Sequence, residues 1–527
     1  MSLRRLLGRA AGAVAVATAA RHGAGAWAMH RTLAAVDRPR ASAAGTETGG
    51  AVGVVHFIVP VLREQQHIRG AVDWFAPLLR HIPGSTLTFV TTSREHAERA
   101  VLAERIAARS ARLPAAAVVG AFPELTDTEL KAVRTYLEQQ TAPVSAKDVV
   151  AALETVSTTD QVVDALLTDD DVRALPIRHV HYTGTGRKAA QVNHAAATLP
   201  PMREPAYLAV YDIDSRPGQE LIERTWASIA AYAAQHGGLP GVVQQSARFT
   251  CGSTSPCGWE RALCRGAARL QTMWTLRREI PAFRRYARAS VGEHGPLQSL
   301  VRGGGLVQTV GHGLWVRQDV FEDLGGLPTY TVLDDLPFGY HVTVERTPVL
   351  VVSQTAAAPG PEDARSLLDQ GRRWYANYLD YAACWAEAGT NGRGTQAWRA
   401  AALAVGWYRG ATWLARTPAT ATCLWLLLRP STRLPTRATA ATALWLGMVT
   451  PVGQLAAADG QQLGPGEQAR ASAELLAAYL VSSVGPAVAV AQRLTRHRTA
   501  MAPKTHRRLP LSGQASLPPG SNHDHRR

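Results

Sequence analysis

From residue 51 the chain alternates short apolar, β-branched runs with amphipathic stretches of helical period. Residues 52–59 (VGVVHFIV) predict a strand closed by Pro60, and 66–79 a helix. Residues 86–90 predict a second strand and 94–108 a helix, and several helical stretches over 120–170 suggest an insertion or cap. Ile177–Tyr182, Lys188–Ala197 and 207–211 then read as strand, helix and buried strand. This rhythm predicts an α/β sheet with ligands at the C-terminal strand ends.

After about residue 350 the strand signals fade. Residues 366–388 predict a helix rich in Trp and Tyr, and 396–413 an apolar helix carrying Arg399 and Arg409 that suits a membrane interface. Two longer apolar stretches follow, 438–458 without any charge and 472–492 with Glu474 near its start; 412–428 is interrupted by Arg416. Arginines crowd the outer flanks of the two stretches, whereas the segment between them has mixed charge. The positive-inside rule then predicts a membrane hairpin with residues 459–470 outside and the C-terminal tail in the cytoplasm. A pair of alanine-rich soluble helices is the alternative. At the N-terminus a short apolar run lies between Arg9 and Arg21–His22, too short to span a bilayer, and reads as a surface-lying or weakly anchored segment. Residues 38–50 read as a polar linker, and the Pro/Gly/Ser/His-rich tail after residue 500 as disordered.

Charge narrows the partners. The 527 residues carry a formal net charge of +15, which points to an anionic partner. Nucleic acid, an acidic membrane surface and phosphorylated substrates all qualify; no zinc-finger, RNA-binding or basic-zipper pattern accompanies the charge, which favours a membrane surface over nucleic acid. The five cysteines, Cys251, Cys257, Cys264, Cys384 and Cys423, have no zinc-type spacing and an odd total, so they read as reduced thiols.

Three local patterns carry chemistry. In YLAVYDIDSRP (207–217) an apolar strand runs into Asp212 and Asp214, which on an extended chain point the same way and offer hard oxygens to Mg or Mn. An ordinary turn explains the same residues. In VLDDLPFGYHV (332–342) the adjacent Asp334 and Asp335 suit either a helix cap or a base with a raised pKa. In QGRRW (370–374) a helix puts Gln370, Arg373 and Trp374 on one face, a guanidinium for a diphosphate beside an indole for a sugar ring. An amphipathic interface helix with a basic rim is the alternative.

In this order the pieces resemble the family 2 glycosyltransferases, especially processive cellulose-synthase-like and hyaluronan-synthase-like members, over roughly residues 52–380. FIVPVLRE (57–64) is similar to that family's first strand and Pro-x-x-Asn-Glu turn, with Arg63 in the Asn place. GRKAAQVNHA (186–195), DID, LDDLPFGY and QGRRW match its later segments. The resemblance implies a GT-A nucleotide-sugar-binding domain, a Rossmann-like mixed sheet, followed by C-terminal interfacial and transmembrane helices. It implies donor binding by Pro60, Glu64, Lys188, Asp212 and Arg373, and a divalent metal (Mg or Mn) on Asp212 and Asp214. Asp335 would be the general base with Asp334 beside it, and His312, Gln370 and Trp374 would face the acceptor. Three departures stand out. Thr91-Thr92-Ser93 replaces an aspartate that reads the base in many relatives, Asp334 replaces a glutamate, and Pro337 replaces a second acid.

The expected organisation is an N-terminal segment and linker (1–50), a GT-A domain (51–350) with a helical insertion at about 110–175, QxxRW and interfacial helices (351–410), membrane helices (411–495) and a basic tail (496–527). The expected function is an inverting, metal-assisted glycosyltransferase at the cell membrane, its catalytic domain facing the cytoplasm. Its partners would be a nucleotide-sugar donor, a glycan or lipid acceptor and the membrane, with no nucleic acid. A catalytically silent scaffold of the same fold is the rival from another class. A Rossmann oxidoreductase is a third, weakened because TGTGRK lacks the GxGxxG pattern.

Overall fold

The structure is a computed structural model that describes residues 3–36, 53–108, 125–139, 145–200, 205–253, 255, 257–290, 296–301, 305–311 and 313–495. The expected linker 38–50, part of the insertion, His312 and the tail after 500 lie outside the described residues.

Seven strands form one sheet: β1 Val54–Pro60, β2 Thr86–Thr92, β3 Ile177–Tyr182, β4 Ala206–Val210, β5 Val242–Thr250, β6 Leu314–Arg317 and β7 Val349–Pro359. Their order is β3-β2-β1-β4-β6-β5-β7. β6 is antiparallel to both β4 and β5, and the other pairings are parallel. β6 therefore starts at the edge where the parallel strands end. Every residue of β1 and β4 is buried, and the strand period of two divides them between faces. Phe57, Tyr207 and Ala209 enter an aromatic core with Phe75, Tyr211 and Trp315, whereas Ile58, Leu208 and Val210 pack with Val316 and Phe338 on the other side. The chain order reverses between β1 and β4, the switch point where such sheets open a crevice.

The sheet exceeds its expected extent. β5 is rich in Gln and Ser and shifts register between Gln244 and Ser246, and β6 has only four residues. β7 contains an alanine run and continues to Pro359, past the boundary expected at 350. β5 and β7 open with short apolar runs, Val242-Val243 and Val349–Val352, but continue through Gln, Ser and Ala, so the apolar β-branched pattern that marks β1 is not sustained.

The N-terminal segment is one helix, Leu3–Val36, unbroken at Arg9 or Arg21. Ala15, Thr18, His22, Ala26, Met29 and Leu33 are buried at helical spacing, and this face packs on the apolar C-terminal helices. A side chain at Gly447 would meet the His22 ring at 2.3 Å, so glycine lets the two helices close. The segment expected to lie on a surface is thus part of a helical bundle.

Two helices, Leu434–Ala458 and Pro465–Leu494, are long and apolar enough to cross a membrane, with mean hydropathy 1.2 and 1.6 over their best windows. The second is held against the α/β unit along its length. Just before it, Asp459 Oδ1 lies 2.6 Å from Arg248 of β5. Glu474 bridges to Arg265 at 2.5 Å and to Arg269. Near its end Arg493 lies 3.8 Å from Asp380. Gly266 and Gly485 mark its closest crossings, where a Cβ would meet Glu474 O at 2.0 Å and Arg372 N at 2.6 Å. These ties join the apolar pair to the α/β unit: the two helices have the length and apolarity of the expected hairpin, and the Asp459 pair brings the loop between them beside β5.

Candidate active site

One cavity of about 750 Å³ opens at the C-terminal strand edge and reaches the helical bundle. Glu64, Lys188, Asp212, Asp214, Asp334, Asp335, Gln370, Arg373 and Trp374 all line it. Pro60 does not; it is the last residue of β1, buried in the ladder opposite Val90.

β4 stops at Val210, and Ser215 N donates to Asp212 O at 2.9 Å, so the two aspartates sit in a turn, not on an extended strand. The alternation of the strand nevertheless persists. Tyr211 and Ile213 stay in the aromatic core at 2% exposure, and the half-buried Asp212 and Asp214 face the cavity. Lys188 opens the helix Lys188–Ala197 and donates to Asp212 Oδ1 at 2.7 Å and to Gly311 O at 3.0 Å. Burial disfavours its charge, but Asp212 and Asp334, then the Asp212 hydrogen bond and Asp335, outweigh burial and hold it as an ammonium.

Asp335 is the first residue of the helix Asp335–Val344, and Asp334 is its N-cap position without a side-chain capping bond. Simple capping therefore does not account for the pair. Asp335 Oδ1 accepts from Asn377 Nδ2 and from Leu336 N, both at 2.8 Å. Its Oδ2 faces Gly311, where a Cβ would stand 3.7 Å from it and 3.5 Å from Lys188 Nζ. Burial first and the charge of Asp334 second raise the Asp335 carboxyl to about 6, against the opposing pull of Leu336 N–H, Lys188 and Asn377. That value suits a base poised near neutral pH.

QGRRW lies on the helix Ala364–Thr390. Gln370, Arg373, Trp374, Asn377 and Tyr378 share the cavity face at helical spacing. Gln271 Nε2 donates to Gln370 Oε1 at 2.6 Å, and Gln308 Nε2 donates to the Tyr378 hydroxyl at 3.1 Å.

The turn after β1 holds Arg63 at φ 56°, a left-handed conformation unusual for arginine. The Arg63 amide donates to Glu95 Oε2 at 3.3 Å and its guanidinium pairs with Glu129. Glu129 belongs to the helix Asp127–Glu138, so the insertion buttresses the turn that sends Glu64 to the cavity.

Two wall residues escaped the sequence reading. Asn377 continues the Gln370 face one turn beyond Trp374, a spacing that was available in the sequence. Glu279 comes from a π-helical turn, Thr275–Glu279, that nothing in the sequence announces. Burial, the first cause, with Asp335 adding to it, raises its carboxyl to about 7, while Thr275 Oγ1 donates to it at 3.0 Å. The hydroxyls at the end of β2 are engaged outside the cavity: Thr91 with His179 at 2.7 Å and His181 at 2.9 Å, and Ser93 with His181 at 2.9 Å.

The donor set fits a divalent cation at the turn. Asp212 and Asp214 offer hard oxygens, and with Asp334 and Asp335 four carboxylates line the cavity near Lys188. Among the described residues no three His, Cys, Asp or Glu side chains form a complete ligand set.

No family model and no curated protein matches the chain. Among solved structures, the mannosyltransferase PcManGT from Pyrobaculum calidifontis, in complex with GDP-Man and Mn2+, aligns with 93% of this chain and 100% of its own, at 13% identity and TM-score 0.41.

Proposed function

We propose that the chain is an inverting, metal-assisted glycosyltransferase of the family 2, GT-A type, working at a membrane. The observation that carries this reading is one cavity lined by Asp212 and Asp214, Lys188, Asp335 and the Gln370–Trp374 face. An α/β scaffold without catalysis has no need to bury an aspartate raised to about 6 beside a second acid.

The anionic donor diphosphate would otherwise meet a wall of carboxylates. Asp212 and Asp214 would hold a Mg or Mn ion, which would supply positive charge against the diphosphate. Lys188 fixes Asp212, and Arg373 reaches the same phosphates with a fork of donors. Trp374 offers its indole face to a sugar ring. Asp335 takes the proton of the acceptor hydroxyl as its oxygen bonds to the anomeric carbon. The bond from that carbon to the diphosphate breaks on the opposite face, which inverts the centre.

The membrane reading rests on the bundle's outer surface. Trp27, Trp407, Tyr408, Trp425, Leu428, Leu434 and Trp445 are exposed there, the aromatic and aliphatic set favoured at a bilayer interface. The ties of Asp459 and Glu474 to the sheet domain favour a bundle seated on or partly in one leaflet, with the catalytic unit on the cytoplasmic side. Screening nucleotide-sugars against membranes that contain the chain, with product mass as readout, tests the transferase reading. No product and no donor hydrolysis with any donor in Mg or Mn would leave the silent-scaffold alternative.

A further inference from the structure

The far end of the cavity, where it meets the bundle, contains a cation that the transfer chemistry does not use. Arg416 is 7% exposed and lines the cavity. Its Cζ stands 4.8 Å from the Trp274 ring centroid, 5.6 Å from Tyr479 and 5.8 Å from Trp413. Among the described residues its guanidinium makes neither a hydrogen bond nor a salt bridge. Further arginines crowd the same place. Arg278 stacks on the same Trp274 ring at 4.7 Å and donates to Thr412 Oγ1 at 3.2 Å, and Arg21 donates to the Thr412 carbonyl at 3.2 Å. Among the described residues no carboxylate bridges to any of the three.

Burying a guanidinium is unfavourable unless it is paired. Three aromatic faces offset part of that cost and leave the fork of N–H donors empty. Glu279 on the same wall is held by Thr275 and pushed toward its neutral form, so it is a poor counter-charge. The fork and the local excess of positive charge match a phosphate. The wall around it is mostly apolar: Ala478, Val481, Ser482 and Gly485 of the helix Pro465–Leu494 line the cavity there, and the Ser482 hydroxyl is spent on Tyr479 O at 2.9 Å.

We infer that the Arg416 end of the cavity binds the phosphate of an anionic lipid acceptor, whose apolar chain runs along the Pro465–Leu494 helix. The attacking group is a hydroxyl on this acceptor. Its oxygen bonds to the anomeric carbon, its proton passes to Asp335, and the electron pair of the broken bond leaves with the nucleoside diphosphate. The transfer step rests on the glycosyltransferase reading; the phosphate site does not.

The test uses the full chain in dodecyl maltoside micelles, a neutral background with the same alkyl chain. Dodecyl phosphate and inorganic phosphate are titrated in turn, and affinity is read by calorimetry. Dodecyl phosphate should bind saturably, at least tenfold more tightly than inorganic phosphate, and Arg416→Gln should weaken it at least tenfold. Arg416→Lys keeps the cation but loses the fork, and should fall between the two. Absence of saturable binding, equal affinity for the two phosphates, or undiminished binding by Arg416→Gln overturns the inference. The wild-type titrations decide on their own if Arg416→Gln does not fold. UDP and GDP with Mg2+ are titrated into the wild type in parallel. If neither binds while dodecyl phosphate does, the transferase reading fails and the phosphate site stands.

Discussion

Asn377 Nδ2 donates to Asp335 Oδ1 across 2.8 Å and so ties the helix carrying QGRRW to the helix that opens on the paired aspartates. That bond stabilises the ionised carboxylate, against burial and Asp334, which favour the acid. Asp335 acts as a base only when ionised, so activity should fall as pH drops through about 6. Asn377→Ala removes a stabiliser of the anion and should move this acid limb to higher pH. The kcat/KM–pH profile checks it; an acid limb that stays in place detaches Asn377 from the base.

Asp335→Asn should lose transfer by about 10²–10⁴-fold, the usual worth of a general base, with donor affinity changed far less. Asn keeps the size of Asp but cannot take the proton. Because the folded site raises this carboxyl above its ordinary value, ionised Asp335 opposes folding above about pH 6. The variant should therefore melt no lower than the wild type near neutral pH. Asp334→Asn should be the milder change. A dead Asp334→Asn beside an active Asp335→Asn would exchange the two roles.

Asp214→Ala should abolish transfer and metal-dependent donor binding and leave the fold intact. Asp214 is half-buried on the cavity wall, while the neighbouring Ile213 anchors the turn in the core. Chelation of divalent metal should reproduce the loss in the wild type. Donor titrations with and without Mn, alongside a melting curve, separate the metal site from a folding defect.

How much of this was legible depends on the kind of signal. β1, β2 and β4 announce themselves through apolar runs, because strands buried on both faces need little else, whereas the edge strand β3, IRHVHY, is only partly buried. DID, the paired aspartates and QGRRW could be singled out because each is a compact cluster with one chemical use. Their convergence on one cavity could not, since strand order and the antiparallel β6 decide it. Glu279 was hidden for a different reason: a π-turn changes which face a helical residue presents. The two apolar helices of the bundle were legible from hydropathy, but their ion pairs through Asp459 and Glu474 were not, because hydropathy reports apolar composition alone.

Glu129→Ala should loosen the turn after β1. Arg63 and Glu129 are 8% and 1% exposed, and removing one partner of such a pair typically costs about 3–5 kcal/mol. The released Arg63 is no longer held at φ 56°, and Glu64 follows it in the chain. Lower stability by denaturant titration should therefore come with weaker donor binding, although Glu129 lies outside the cavity. Unchanged donor affinity in a destabilised variant would reduce the insertion to a purely structural part.

A helix of 30 residues is about 45 Å long, enough to place its ends on opposite faces of a bilayer. The Asp459–Arg248 pair before its start and the Arg493–Asp380 pair near its end instead join the α/β unit. Since the catalytic unit is proposed to face the cytoplasm, a cysteine introduced at Gln461 should react with a membrane-impermeant maleimide only after cells are opened. A simple hairpin gives the reverse, labelling of this loop in intact cells. Retention by the membrane should then depend on the exposed bundle aromatics, so Trp407→Ser with Tyr408→Ser should release a larger fraction of the chain at high salt. Labelling at residue 461 from outside, with retention unaffected by the aromatic changes, would support the spanning hairpin. It would also mean that the Asp459–Arg248 pair does not form in cells.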